Sequence, residues 1–292
     1  MSSRDHDAPA KTPEGSKTPR VSVAMCTFNG ESYLGEQIDS ILRQSSPVHE
    51  IIVADDASTD GTRRLLEEYK RRFPHLFQLC FHDSNVGTIE NFQFALERCT
   101  GEIIFLCDQD DIWRSEKVAT MLARLRDVRC LLLFTDGRLI DSTGKPLGSS
   151  VWKKWGFTRL RQFLWRRVPG AAARDLLYNN NKVTGATVAM RRTLLAQALP
   201  IRLPRGYWHD GWFAMHAAAQ HGLAFIDDCL VDYRVHPKQQ VGLQQNASPS
   251  NFSEIPFFEF RACFESQYPA CARLIEALRF AAGVRAKLGL RR

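Results

Sequence analysis

Short apolar runs punctuate the first half of the chain, and each stops at a polar cluster. Val21-Ser22-Val23-Ala24-Met25-Cys26, Ile51-Ile52-Val53-Ala54, Leu79-Cys80-Phe81 and Ile103-Ile104-Phe105-Leu106-Cys107 read as strands. Runs that do not alternate polar with apolar belong to strands covered on both faces, as in a parallel sheet. Between them the period changes to that of a helix. Tyr33, Leu34, Ile38, Ile41 and Leu42 predict one helix, 62–72 a second behind the capping residues Ser58, Thr59 and Asp60, 91–98 a third, and 117–125 another. This β-α-β-α order predicts an α/β fold: a Rossmann-like, mixed, mostly parallel central sheet flanked by helices. Such sheets bind ligands beyond the carboxyl ends of their strands, which puts Thr27, Asp55, Asp56 and Asp108 to Asp111 on one rim. Regular alternation weakens after Leu131-Leu132-Leu133-Phe134. Residues 252–292, rich in Phe, Arg and Ala, predict a helical C-terminal extension, and the polar residues 1–20 predict a disordered tail.

Charge adds a preference for anionic partners. Lys and Arg outnumber Asp and Glu 39 to 32, a formal net charge of +7. Residues 142–174 hold no acid at all, and they interleave Trp152, Trp155 and Trp165 with Lys153, Lys154 and five arginines. Trp and long cations suit a membrane–water interface or a lipid diphosphate; they suit equally a solvated helix with its indoles turned inward. The cationic segment 273–292 offers a second amphipathic surface for anionic lipid. Nucleic acid is not an expected partner, because no RRM, KH or zinc-finger pattern accompanies the charge. The eight cysteines form no CxxC pair and several sit in apolar runs, so they read as small buried hydrophobes. No apolar stretch approaches the ~20 residues of a bilayer span, and residues 1–20 do not read as an export signal. A cytoplasmic protein is expected, at most peripheral at the inner face of the plasma membrane.

Chemistry concentrates in Asp108-Gln109-Asp110-Asp111. Three carboxylates in four residues repel one another unless a cation joins them, and their hard oxygens suit Mg²⁺ or Mn²⁺ bridging to a diphosphate. The glycine and terminal glutamate of an EF-hand are missing. In Asp55-Asp56-Ala57-Ser58-Thr59-Asp60-Gly61, two acids precede the helix cap, more than capping requires; a carboxylate there can accept from a base N–H or a ribose hydroxyl.

Thr27-Phe28-Asn29-Gly30, the Asp55-to-Gly61 segment, Asn85-Val86-Gly87 with Asn91-Phe92, and Asp108-Gln109-Asp110-Asp111-Ile112-Trp113 follow in order at fitting intervals. Together they resemble family 2 glycosyltransferases of the GT-A fold, and the last block resembles their rhamnosyltransferase-like branch. The resemblance implies a catalytic domain over 21–243, with a nucleotide-sugar half (21–135) and an acceptor half (136–243), followed by the extension over 244–292. It places Thr27, Asn29, Asp55, Asp56, Gly87, Asn91, Asp108 and Asp110 around a nucleoside diphosphate sugar, and Asp108, Asp110 and Asp111 on the metal. His209-Asp210-Gly211-Trp212 resembles the segment in which the family's catalytic base is the Asp, here Asp210. Thr184 and Gly185, in a segment that looks like an acceptor-side strand, join His209, Trp212, Arg234 and His236 on the acceptor side. Tyr233-Arg234-Val235-His236 resembles a motif closing the site, although Pro237-Lys238-Gln239-Gln240 departs from its usual sequel. The implied reaction is inverting transfer, best matched by L-rhamnose from dTDP-rhamnose with uridine-diphosphate hexoses open, to a surface polysaccharide or lipid-linked acceptor. A sugar-nucleotide nucleotidyltransferase is the competing enzyme, but it would want a Gly-rich basic loop where Thr27-Phe28-Asn29-Gly30-Glu31 stands. A non-catalytic nucleotide-binding scaffold would not need the full carboxylate set.

Overall fold

The computed structural model describes residues 18–178, 180–237, 239 and 255–287. Most of the expected tail over 1–20, the boundary near 244, and Lys238 and Gln240 lie outside these residues. The parallel core is laid down by β1 (Val21–Thr27), β2 (Glu50–Asp55), β3 (Phe77–Phe81) and β4 (Ile103–Cys107), with α1 (Leu34–Leu42), α2 (Thr62–Arg72) and α3 (Thr88–Arg98) between them. The central runs β1 and β4 are buried along their whole length, as their unbroken apolar sequences demand. Each fully buried Val, Leu, Ile or Phe contributes about 1.5–3 kcal/mol.

The chain then runs through β5 (Ile112–Trp113), α4 (Lys117–Arg124), β6 (Leu132–Ile140), β7 (Pro146–Ser150), α5 (Val151–Lys154), α6 (Arg159–Arg167) and α7 (Ala171–Leu177). It continues with β8 (Val188–Arg191), α8 (Arg192–Ala198), α9 (His209–Ala219), β9 (Leu223–Arg234), α10 (Phe257–Gln267) and α11 (Pro269–Lys287). Among the described residues nine strands make one sheet in the order β3-β2-β1-β4-β8-β6-β9-β5, with β7 paired to β6. Strand β8 runs antiparallel to both β4 and β6, β5 runs antiparallel to β9, and β6 and β9 are parallel. The sheet is therefore mixed and mostly parallel.

Some local expectations shift. The third helix starts at Thr88, three residues before Asn91, because Gly87 at φ +90° lets the chain turn straight into it. The segment Val183 to Ala186 is not a strand; Gly185–Thr187 is a 3₁₀ turn that delivers the chain to β8. Strand β6 runs six residues past Phe134, and its polar end pairs with β7 and β9. Helix α2 takes no hydroxyl cap: Asp60 accepts the Thr62 amide at 3.0 Å, and Ser58 is engaged by Asp55.

The tryptophans of the basic segment turn inward. Trp152 and Phe157 are buried with Phe134 of β6 and Phe225 of β9, and Trp165 of α6 closes over them with its ring centroid 4.9 Å from that of Phe157. The C-terminal helices also pack on the main body. Phe260, Phe264, Cys271 and Ile275 are buried, and Phe260 meets Tyr207 and Trp212. Five of the eight cysteines are buried, while Cys80 is partly covered and Cys229 and Cys263 are exposed. Among the described residues no helix is long and apolar enough to cross a membrane.

Candidate active site

The carboxyl ends of β1, β2 and β4 open onto a polar cleft. Thr27, Asp56, Asn91, Asp108, Asp110, Thr184, Gly185, His209 and Asp210 line it. Four acids from three distant segments thus face one space, as their places at strand and turn ends require.

The first wall is a set of locked turns. Asp56 accepts the backbone amides of Val86 (2.6 Å) and Gly87 (3.0 Å), which fixes its carboxylate and the entry to α3. Ala57, at φ +59°, turns the chain sharply behind Asp56, a conformation that costs about 1–2 kcal/mol in a non-glycine residue. Asn91 donates to the Ala54 carbonyl at 2.9 Å, leaving its buried Oδ1 without a partner. Asp55 behaves differently from expectation. It is fully buried and does not line the cleft; Thr27, Ser58 and Arg63 take up its oxygens. Asn29, too, ties loops together, accepting the Thr59 amide at 2.9 Å, and does not line the cleft.

Asp108, Asp110 and Asp111 divide in direction. Asp108 and Asp110 face the cleft, and the Asp108 carboxyl is pushed up to about 7 by burial, then by Asp110 and Asp210. Asp110 Oδ2 lies 2.9 Å from His236 Nε2. Asp111 turns the other way, accepting the Arg234 backbone amide at 2.9 Å, with its Oδ2 buried and unpartnered. Burial raises its carboxyl well above the ordinary range. Asp111 is therefore turned away from the cleft that Asp108 and Asp110 face. Among the described residues no ready cluster of three acidic, His or Cys ligands exists. Two carboxylates facing one space still fit Mg²⁺ or Mn²⁺, which are commonly held by one or two acids plus substrate phosphates.

Asp210 sits in the first turn of α9. Its Oδ1 accepts from Asn181 Nδ2 (2.9 Å) and the Gly211 amide, and its Oδ2 accepts the Gly185 amide at 3.0 Å. A methyl group placed on Gly185 would lie 3.9 Å from Asp210 Cβ and 4.0 Å from Asp108 Oδ2, so this glycine separates the two acids. Burial raises the Asp210 carboxyl to about 6. His209 stacks on Phe92 with ring centroids 4.1 Å apart, and burial lowers its imidazole to about 3, which keeps it neutral.

Three acceptor-side expectations are corrected. Trp212 lies two positions beyond Asp210, roughly 200° around a helix. It lines a different cleft with His216 and Phe260 and donates to the Ala198 carbonyl at 2.6 Å. Arg234 is buried beneath the acidic turn, donating to the Asp110 carbonyl at 2.8 Å and pairing with Glu36. His236 is buried against Asp110, with its ring 4.7 Å from that of Tyr33.

Other residues at the site had no clear sign in the sequence. Gln109 clasps Phe28, accepting its N–H at 2.8 Å and donating to its carbonyl at 3.0 Å. Tyr233 and Gln239 join the lining. Lys117 is wholly buried behind the acids, donating to the Ala186 carbonyl at 2.7 Å and sitting 3.8 Å from the Trp113 ring. Burial lowers its ammonium to about 7, against the pull of Cys107, Asp111 and Asp108. Its one sequence signal was a cation opening a helix, where the backbone dipole disfavours it.

The model of "Glycosyl transferase family 2" matches residues 22–197, more than half of the chain. The chain belongs to glycosyl transferase family 2. An uncharacterized glycosyltransferase of Haemophilus influenzae is 35% identical over 225 residues, covering 76% of this chain and 67% of its own length. TuaG of Bacillus subtilis, provisionally named a teichuronic acid biosynthesis glycosyltransferase, is 33% identical over 133 residues, 46% of this chain and 52% of TuaG. The matched part thus spans about half of that relative. Among solved structures, S. aureus TarS 1-349 in complex with UDP-GlcNAc superposes with a TM-score of 0.58 at 20% identity, covering 85% of this chain and 66% of that one. The mannosyltransferase PcManGT from Pyrobaculum calidifontis, in complex with GDP-Man and Mn²⁺, gives 0.57 at 20% identity over 94% and 77%. The architecture of this family 2 glycosyltransferase is the GT-A fold.

Proposed function

We propose that this family 2 glycosyltransferase moves a sugar from a nucleoside diphosphate donor to an acceptor hydroxyl, with inversion and with Asp210 as the base. The observation that carries the reading is the single cleft shared by Asp108 and Asp210, with Gly185 between them. Asp56 is assigned to the base or ribose of the donor, since amide-bound carboxylate oxygens keep lone pairs for further donors. Asp108 and Asp110 are assigned to Mg²⁺ or Mn²⁺. When bound, such an ion supplies Lewis-acid neutralisation of the leaving diphosphate. Asp210 takes the acceptor proton as the hydroxyl oxygen bonds to the anomeric carbon and the bond from that carbon to the diphosphate oxygen breaks. A carboxyl near 6 is ionised at neutral pH yet more basic than an ordinary aspartate, which favours the transfer. Asn181 and the Gly185 amide hold that carboxylate in place.

For the donor we favour dTDP-rhamnose, on the Gln109-Asp110-Asp111-Ile112-Trp113 block; UDP-GlcNAc and GDP-Man, the ligands of TarS and PcManGT, are the comparisons to run. The acceptor reading is a growing surface polysaccharide, free or lipid-linked, in keeping with the name of TuaG. A thermal-shift screen of these nucleotide sugars, with and without Mn²⁺, identifies the donor, because a ligand of the native state raises the midpoint by mass action. The same preparation with Asp210→Asn should keep the donor-induced shift and lose transfer by about 10²–10⁴-fold. Near-normal transfer by that variant would remove Asp210 from the mechanism. No donor shift under any condition would remove the reading of the cleft.

A further inference from the structure

Helix α6 shows solvent an apolar face while its other side is pinned to the sheet. Leu160, Phe163 and Leu164 are 66%, 58% and 38% exposed, and their i, i+3, i+4 spacing places them on one stripe. Arg167 continues that stripe one turn on. The inner side is fully committed. Trp165 donates to Asp175 at 3.0 Å, Gln162 to the Phe157 carbonyl at 2.9 Å, and Arg161 lies 3.3 Å from Asp175. The aromatic cluster of Phe134, Trp152, Phe157 and Phe225 underlies the helix and holds the outer stripe at a fixed orientation. Thr158 caps the helix by accepting the Arg161 amide at 3.3 Å, so the stripe exists without a partner to fold it.

Charge chooses the partner. Lys153 and Lys154 on the preceding α5 and Arg159, Arg166 and Arg167 on α6 itself are exposed. Residues 142–174 carry no acid, and across the sheet Asp227 pairs with both Arg159 and Arg166. Two copies meeting through this face would bring like charges together, which disfavours a self-complementary dimer. Apolar side chains ringed by Lys and Arg, with no acid in the segment, fit instead an anionic bilayer surface, where the hydrocarbon side chains enter the headgroup boundary and the cations meet lipid phosphates.

We propose that α6 is a peripheral membrane-docking face, with Leu160, Phe163 and Leu164 inserting into an anionic lipid surface and Lys153, Lys154 and Arg167 contacting its headgroups. The inserting residues are not the tryptophans that composition points to, since those are spent on the core. The inference stands apart from the reading of the cleft and does not depend on it.

The test is cosedimentation of the full chain with phosphatidylcholine vesicles and with vesicles containing phosphatidylglycerol, at low and high salt. Binding should appear only with the anionic lipid and weaken as salt screens the cations. The variant Leu160→Ser/Phe163→Ser/Leu164→Ser should bind about tenfold or more weakly, because the apolar area that enters the bilayer is gone. Its melting temperature should stay close to that of the parent, since Leu160 and Phe163 are mostly in water and Leu164 is partly so. If the triple variant melts early, Lys153→Glu/Lys154→Glu/Arg167→Glu gives the same reading through charge. Failure of the parent to bind anionic vesicles overturns the proposal. So does undiminished binding by both variants, which would move the contact to another surface such as α11. A dimer detected by light scattering and dispersed by the triple variant would assign the face to a second copy and overturn it as well.

Discussion

Asp108 follows β4 with its carboxyl raised to about 7, and this shift has two consequences of known sign. A cation needs the ionised form, so protons compete with Mn²⁺. Below about pH 7 the apparent affinity should fall roughly tenfold per pH unit, as calorimetric titration across pH would show. Affinity unchanged down to about pH 5 would exclude Asp108 as a ligand. For folding, a raised carboxyl binds its proton more readily in the native than in the unfolded state. Its ionisation therefore costs stability, increasingly as pH rises from the ordinary value of 3.8 to about 7. Asp108→Asn removes that cost. The metal-free variant should melt at or above the parent temperature at mildly alkaline pH while losing the donor-induced shift. A clear drop in melting temperature would show that the charge stabilises the fold. Lys117 carries the opposite sign. Its ammonium, lowered from 10.5 to about 7, penalises the native state increasingly as pH falls across that window. Asp56, Asp108 and Asp110 were legible because they follow strands, and Asp210 because its segment resembles a family motif. Lys117, Gln109 and Asn181 were not, because their partners lie 69, 81 and 29 positions away along the chain.

At the level of elements, the site is made by loops that lean on one another. Asn29 at φ +50° and Ala57 at φ +59° turn their loops back above the sheet, and Asn29 joins them by accepting from Thr59. Gly30 is needed for a different reason: a Cβ there would lie 2.2 Å from Gln109 Oε1, which must reach the Phe28 amide. Gly30→Ala should therefore displace Gln109 and lower stability by about 1–3 kcal/mol, read by urea unfolding, with weaker donor binding. A variant as stable as the parent would mean that Gln109 moves aside freely. Periodicity found the first four strands, whose apolar runs are continuous, and four of the helices. It missed β5, which is only two residues long, and β7, which is short and largely polar, while the family resemblance read the segment at Val183 as a strand. A 3₁₀ turn of three small residues has no distinguishing period.

The whole molecule joins two halves that carry different parts of the site. Residues up to Trp113 bring Asp56, Asp108 and Asp110; the later half brings Asp210 on α9 and the Arg234 and His236 supports at the end of β9. Sheet order brings them together, because β8 and β6 lie between β4 and β9 and close the distance along the chain. Helices α10 and α11 brace the second half through Phe260, which is buried against Tyr207 and Trp212, neighbours of Asp210 in sequence. Phe260→Ala should cost about 3–5 kcal/mol, measured by thermal or urea unfolding. A cost under about 1 kcal/mol would show that the extension is only loosely seated. The vesicle experiment belongs to this scale too, since the α6 face exists only because the sheet absorbs the other side of that helix.

By itself the sequence determined the α/β class and the strand ends that carry acids, because continuous apolar runs and the polar stops after them are local properties of a chain; the candidate base Asp210 rested on the resemblance of the His209-to-Trp212 segment. Tertiary structure decided which acids face the cleft. Asp55 and Asp111 have the same chemistry and nearly the same sequence position as Asp56 and Asp110, yet their carboxylates are turned to Ser58 and to the Arg234 amide. Tertiary structure also decided which side of the basic helix meets water. Trp165 and Phe163 are both large and apolar, and only the cluster on β6 and β9 selects the tryptophan for the core and leaves the phenylalanine outside. Direction at such positions depends on partners far along the chain, and no local pattern encodes it.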